Sequence, residues 1–136
     1  MSLPEEVAKL IEERRSFVVE FDEAGNPKVS GYRGISKMKI SRDELKGVRR
    51  GRRRVPEAVL RTLRKVTAAL LERKLPFKVL FGKDEVTISL DLDHFIRIYP
   101  DRVVVAGFAS LDEEPVRSLK DVLSEHGQLK LLRPLR

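Results

Sequence analysis

The sequence predicts a single α+β domain: a mainly antiparallel sheet of about five or six strands with three helices, in the order α-β-β-(β)-α-β-β-β-α-β. Three observations carry this prediction. Apolar residues recur at helical spacing in three separate stretches and at period two in the runs between them. The tight connections after residue 76 imply antiparallel hairpins, with helices packed on at least one sheet face. At 136 residues the chain suits one core and is short for two, and no repeat, low-complexity tract or linker divides it, so residues 1–136 are expected as one domain.

Ser2 and Glu5 make a capping-box pair, and Leu3, Val7, Leu10 and Ile11 follow at helical spacing, which predicts a first helix over 3–14. The run SFVVEFDE reads as a strand, AGNP as a turn and KVSGYR as a second strand, together a hairpin. Gly31 and Gly34 then weaken regular structure; KMKI is a candidate short strand, and Ser41 with Glu44 repeats the capping pattern for a brief helical turn through Leu45. Residues 47–54 show no periodicity, only cations and glycines, and read as part of a flexible basic loop over 46–55.

Pro56 suits the first turn of a helix, and Val59, Leu60, Leu63, Val66, Leu70 and Leu71 form one apolar stripe, so a helix is expected over 56–74, closed by Pro76. FKVLF reads as a strand and GKDE as a turn into one long strand, VTISLDLDHFIRIYP. There Val86, Ile88, Leu90, Leu92, Ile96 and Ile98 alternate onto one face, with His94 the single polar interruption. Pro100 and Asp101 turn the chain into the strand RVVVAGF. A last helix is expected over 111–126, with Ser110 and Glu113 as capping box, Pro115 in its first turn, Val116, Leu119, Val122 and Leu123 inward and Gly127 as its stop; QLKLL is a candidate final strand.

Composition excludes several function classes. With no cysteine, the chain has no disulfide, no thiolate metal site and no cysteine nucleophile. It opens on MSLPEEVAKL, acidic where a signal peptide is basic, and no apolar run approaches the roughly 20 residues of a membrane span, so a cytoplasmic protein without a membrane partner is expected. A single Asn, a single Gln and two Met beside abundant Arg, Lys and Glu follow the compositional trend of thermophile proteins.

The net charge of +7 is unevenly distributed. Residues 27–83 hold 18 basic and 4 acidic side chains, whereas residues 1–26 hold 3 and 7 and residues 84–125 hold 4 and 10. Thermophilic enrichment would intersperse the signs; segregation asks for an anionic partner or for an internal acidic match. The basic region centres on GVRRGRRRVPEAVLRTLRK. Six of the nine residues from Lys46 to Arg54 are cationic and none is acidic. Clustered Arg and Lys gain affinity for nucleic acid by releasing its condensed counterions, and the planar guanidinium can take two phosphate oxygens at once. The loop also enters a helix N-terminus, whose free N–H groups attract anions. The expected phosphate contacts are therefore Lys46, Arg49, Arg50, Arg52, Arg53 and Arg54, extended along the helix by Arg61, Arg64 and Lys65. Glu57, in the helix's first turn, opposes this mildly.

The remaining polar residues point to weaker chemistry. Asp91 and Asp93 in SLDLDH would share one face of a regular strand, as a divalent-metal site requires, with His94 on the other face. Over these few residues the Asp-x-Asp pattern resembles that of primase-polymerase catalytic strands, and SEHG supplies a Ser-x-His; the resemblance would imply metal-dependent nucleotidyl-transfer or nuclease activity. The plainer expectation is a pair of solubilising strand carboxylates. Phe95, Arg97 and Tyr99 fall on the same face as the two aspartates, as in sheets that stack single-stranded bases, against the plainer expectation of a second apolar layer under the helices. His94 is expected as a hydrogen-bonded core histidine, His126 as a helix-end histidine, and Tyr32 beside Arg33 as a loop residue able to touch a base.

No cofactor and no catalytic set are called for. The sequence thus predicts non-catalytic nucleic-acid binding, to DNA or RNA, through the segment 46–65. A structural or protein-interaction module whose basic segment pairs with acidic surface, its own or that of a second copy in a homodimer, is the alternative.

Overall fold

The computed structural model describes residues 3–31 and 55–132. Helix α1, Leu3–Glu12, leads into strands β1, Phe17–Phe21, and β2, Pro27–Gly31. Helix α2, Glu57–Glu72, is followed by β3, Phe77–Phe81, β4, Val86–Ser89, β5, Phe95–Ile98, and β6, Arg102–Ala106; helix α3, Val116–His126, and strand β7, Gln128–Leu132, complete the described chain. The strands form one seven-stranded sheet in the order β2-β1-β3-β4-β5-β6-β7. All neighbours are antiparallel except β6 and β7, which run parallel because α3 crosses between them. This is the expected α+β class with a slightly larger sheet. The expected features at Ser2, Tyr32, Arg33, KMKI, Ser41, Glu44 and 46–54 lie outside the described residues.

The helices cover one sheet face. Val7 and Ile11 of α1, Val59, Leu63, Val66 and Leu70 of α2, and Leu119 and Leu123 of α3 join Phe17, Val19, Val79, Ile88, Ile96, Val103 and Val105 in one buried cluster. Each such side chain contributes about 1.5–3 kcal/mol by leaving water. Alternation does the sorting: the sheet residues at period two from this set point the other way, onto a face on which no described helix packs. Phe95, Arg97 and Tyr99 lie on that open side, so the expected second apolar layer beneath helices is not what holds them.

One expected strand is two. The chain turns back at residues 90–94, and Val86, Thr87, Ile88 and Ser89 pair with Ile98, Arg97, Ile96 and Phe95. Paired residue numbers sum to an even value, so even positions face even positions and the period-two pattern runs unbroken through the turn. Leu90 still packs, half-buried, against the core, whereas Leu92 leaves the buried face and is 99% exposed at the tip of the turn. The last helix also starts later than expected. Pro115 is its N-cap and disfavours helical geometry at the residue before it, so Ser110 and Glu113 fold a preceding turn, accepting hydrogen bonds from the Asp112 and Ala109 amides at 3.2 and 2.8 Å.

Candidate nucleic-acid interface

The strand register fixes which residues share an end of the sheet. Phe17, Val79, Ile88, Ile96 and Val105 lie side by side across the central strands. The start of β1 thus lies at the same end as the β5–β6 turn, and the Ser16 hydroxyl accepts from the Phe81 amide there at 3.0 Å. Gly31 pairs with Phe17 at the outer edge of this end. Arg14 holds a left-handed backbone, φ 57°, after α1, and its Nε donates to the Val55 carbonyl at 3.1 Å. The described chain therefore leaves at Gly31 and re-enters at Val55 beside the same α1–β1 turn. Lys46, Arg49, Arg50, Arg52, Arg53 and Arg54 belong to the intervening sequence and lie outside the described residues.

Helix α2 begins at the same end. Its N-cap, Pro56, provides no side-chain cap, as a residue without a side-chain acceptor must. The three cations expected along it behave differently. Arg61 is exposed and has no ion pair among the described residues. Arg64 Nη1 donates to Glu57 Oε1 at 2.7 Å, and this hydrogen bond is the main cause holding the Glu57 carboxyl below its ordinary range. Lys65 is 3.9 Å from Glu125 of α3. Glu57 therefore satisfies Arg64 more than it opposes an incoming anion.

Arg61 and Lys65 line a shallow cleft of about 260 Å³ between α2 and α3, closed below by Thr62 and His126. His126 does more than end a helix: its Nδ1 lies 2.7 Å from the Thr62 hydroxyl, and its Nε2 donates to the Tyr99 carbonyl. It ties α2, α3 and the β5–β6 turn together, so Arg61, Lys65 and the Tyr99 backbone form one rigid group.

The carboxylates lie at the other end. Asp91 and Asp93 occupy the β4–β5 turn, which corrects their expected placement along a strand face. The Asp91 carboxylate is fully engaged: Oδ1 accepts from the amides of Asp93 and His94 at 2.8 and 2.9 Å and from His94 Nδ1 at 2.7 Å. The His94 hydrogen bond, followed by the Asp93 amide, lowers the Asp91 pKa. His94 is thus hydrogen-bonded, as expected, but in a turn rather than in the core, with its ring edge-on to Phe108 at 4.8 Å. Gly107, at φ +91°, packs beneath; a Cβ there would overlap the Asp93 carbonyl oxygen. Among the described residues no three metal-ligating side chains converge.

Sequence reasoning passed over Lys78, Arg102 and Lys130. From β3 to β7 the open-face positions carry Lys78, Arg97, Arg102 and Lys130 and no carboxylate. The signal was present, since each alternates with apolar neighbours facing the helices, but it becomes visible only once the helix-covered face is known.

The fold defines a two-layer α+β protein whose basic stretch is attached at the end that holds the α1–β1 turn and the start of α2. Comparison with family models, curated proteins and solved structures gives no match. Among the described residues no helix is long and apolar enough to cross a membrane.

Proposed function

We propose that this protein binds nucleic acid without catalysis, gripping phosphates through Lys46, Arg49, Arg50, Arg52, Arg53 and Arg54 and through Arg61, Arg64 and Lys65 of α2. One observation carries the reading. Of the chain's 28 basic and 21 acidic residues, the sequence 32–54 contains 10 and 2 and residues 133–136 contain 2 and none, so the described body keeps 16 and 19. A body of net charge −3 is thus joined to a stretch of net charge +8 whose two attachment points adjoin each other. Concentrated cationic charge of this kind matches the phosphate density of nucleic acid. Arg61, exposed and unpaired among the described residues, continues that charge onto an ordered helix.

The test is fluorescence anisotropy on labelled DNA and RNA oligomers. Replacing Arg49, Arg50, Arg52, Arg53 and Arg54 together by Ser lowers affinity at low salt by at least about two orders of magnitude. Unchanged affinity refutes the proposal.

The net-acidic body also favours a second reading, in which the basic stretch pairs with acidic surface such as Glu6, Glu12 and Glu13 on or after α1, in the same molecule or a second copy. Pairing between copies requires a self-association, seen by sedimentation, that salt dissociates while oligonucleotides leave it unaffected; pairing within one molecule requires a monomer that does not bind oligonucleotides.

A further inference from the structure

We infer that the open sheet face from β3 to β7 seats a single strand of nucleic acid, with unpaired bases stacked on two arginine–aromatic platforms. The inference rests on the nucleic-acid reading and adds strand selectivity to it.

On β5, the Arg97 guanidinium lies 4.8 Å over the Phe95 ring and is fixed there by its Nε donating to the Thr87 hydroxyl at 2.9 Å. At the following turn, the Arg102 guanidinium lies 4.0 Å over the Tyr99 ring. A guanidinium on an aromatic face presents a second flat, cationic surface, to which a base can stack and a phosphate can approach. The platforms are four residues apart along an extended chain, about 13 Å, so they serve different bases. The Tyr99 carbonyl is held by His126, which keeps the second platform from drifting.

Charge complementarity identifies the occupant. Lys78 and Lys130 lie on opposite sides of the platforms, on β3 and β7, and neither has an ion pair among the described residues. Among the described residues Arg97 bonds a neutral hydroxyl, and Arg102 shares its charge with Asp101 at 2.9 Å. The outward strand positions from β3 to β7 carry these four cations and no carboxylate, in a body of net charge −3, with Glu20, Asp91 and Asp101 at the margins of the face. The half-buried rings of Phe95 and Tyr99 at its centre supply what a wholly electrostatic surface lacks, an apolar contact for bases. A duplex hides its base faces and cannot use them. The Tyr99–Arg102 platform lies at the end where the basic stretch is attached, about three strands or 14 Å from β1, and the Phe95–Arg97 platform lies toward the opposite end, so a strand entering from the basic stretch would meet Tyr99 first and Phe95 second.

The experiment measures anisotropy of a labelled 15-nucleotide oligo-U, oligo-dT and a mixed-sequence duplex with the full chain, the pair Phe95→Ala plus Tyr99→Ala, the pair Lys78→Gln plus Lys130→Gln, and the five-arginine Ser variant. The aromatic pair is expected to lose about 10- to 100-fold on single strands and under about twofold on duplex. The lysine pair, both exposed and safe for folding, is expected to flatten the dependence of log K on log salt by about 1.4 on single strands. Equal effects on single strand and duplex, or none from either pair, overturn the inference. Binding of duplex alone by the unaltered protein overturns it while leaving the phosphate-gripping proposal standing. Single-strand binding lost in the aromatic pair but intact in the five-arginine variant upholds it and removes that proposal. Displacement of the oligonucleotides by poly-glutamate at equal charge would assign the face to an acidic protein and overturn the inference.

Discussion

Replacing Thr62 by Val tests the joint that ties α2, α3 and the β5–β6 turn together. A carbonyl oxygen can only accept, so His126 Nε2 carries the proton given to the Tyr99 carbonyl, and in the neutral ring Nδ1 must accept from the Thr62 hydroxyl, 2.7 Å away. Thr62 also lies 3.3 Å from the Ala58 carbonyl, but its one proton serves a single acceptor, and Nδ1 is the nearer. Valine keeps the shape of this 7% exposed side chain and deletes only the donor, leaving Nδ1 without its partner at a cost of about 1–2 kcal/mol. Unfolding entropy of about 2.1 cal/mol/K per residue over 136 residues converts a loss near 1.5 kcal/mol into a Tm drop of about 5 °C. His126→Ala loses both bonds and the ring's packing, about 2–4 kcal/mol. Thermal unfolding of the two single variants and the double variant should give a coupling energy of about 1 kcal/mol. Strict additivity, or a Thr62→Val variant within about 1 °C of the parent, would refute the hydrogen-bonded joint.

Gly107→Ala should cost about 2–4 kcal/mol in urea unfolding, because its φ of +91° and the overlap with the Asp93 carbonyl act together. Gly25→Ala, at φ +84° but with only the flexible Lys74 side chain nearby at 3.4 Å, should cost about 1–2 kcal/mol, and equal losses would contradict the close approach at Gly107. Asp91 has a lowered folded-state pKa, so as pH falls the unfolded chain takes up this proton first. Its contribution, present above the ordinary Asp range, is lost as pH falls through the folded-state value. Asp91→Asn should therefore flatten the acid side of the stability profile without steepening it at neutral pH, and an Asp91 carboxyl titrating at or above the ordinary value by NMR would contradict the turn geometry.

The helices were legible because their apolar stripes are local. Val59, Leu63, Val66 and Leu70 announce α2 without any knowledge of what they pack against. The β1–β2 hairpin was legible for a related reason: Asp22 and Asn26 close it locally, with the Asn26 amide donating to Asp22 Oδ1 at 2.7 Å. The turn at Asp91–His94 was hidden because the even register preserves alternation across it, so a hairpin and one long strand write the same apolar pattern. Turn chemistry was nonetheless present in Asp91, which caps the amides two and three residues on. The site was less legible than the fold. Which sheet face the helices cover depends on packing between distant elements, so Phe95, Arg97 and Tyr99 could be read as core or surface. His126 finds Thr62 and Tyr99 at separations of 64 and 27 residues, beyond the reach of any local pattern. The segregation of charge, by contrast, was legible from composition alone, and the fold sharpens it by leaving a body of net charge −3.

The most direct test of phosphate binding is the slope of log K against log salt for a short duplex. With about six phosphates neutralised by the basic stretch and the outer residues of α2, a slope near −5 is expected, falling toward zero when Arg49, Arg50, Arg52, Arg53 and Arg54 become Ser. A slope near zero for the unaltered protein, or the same steep slope with those five arginines removed, would contradict the account.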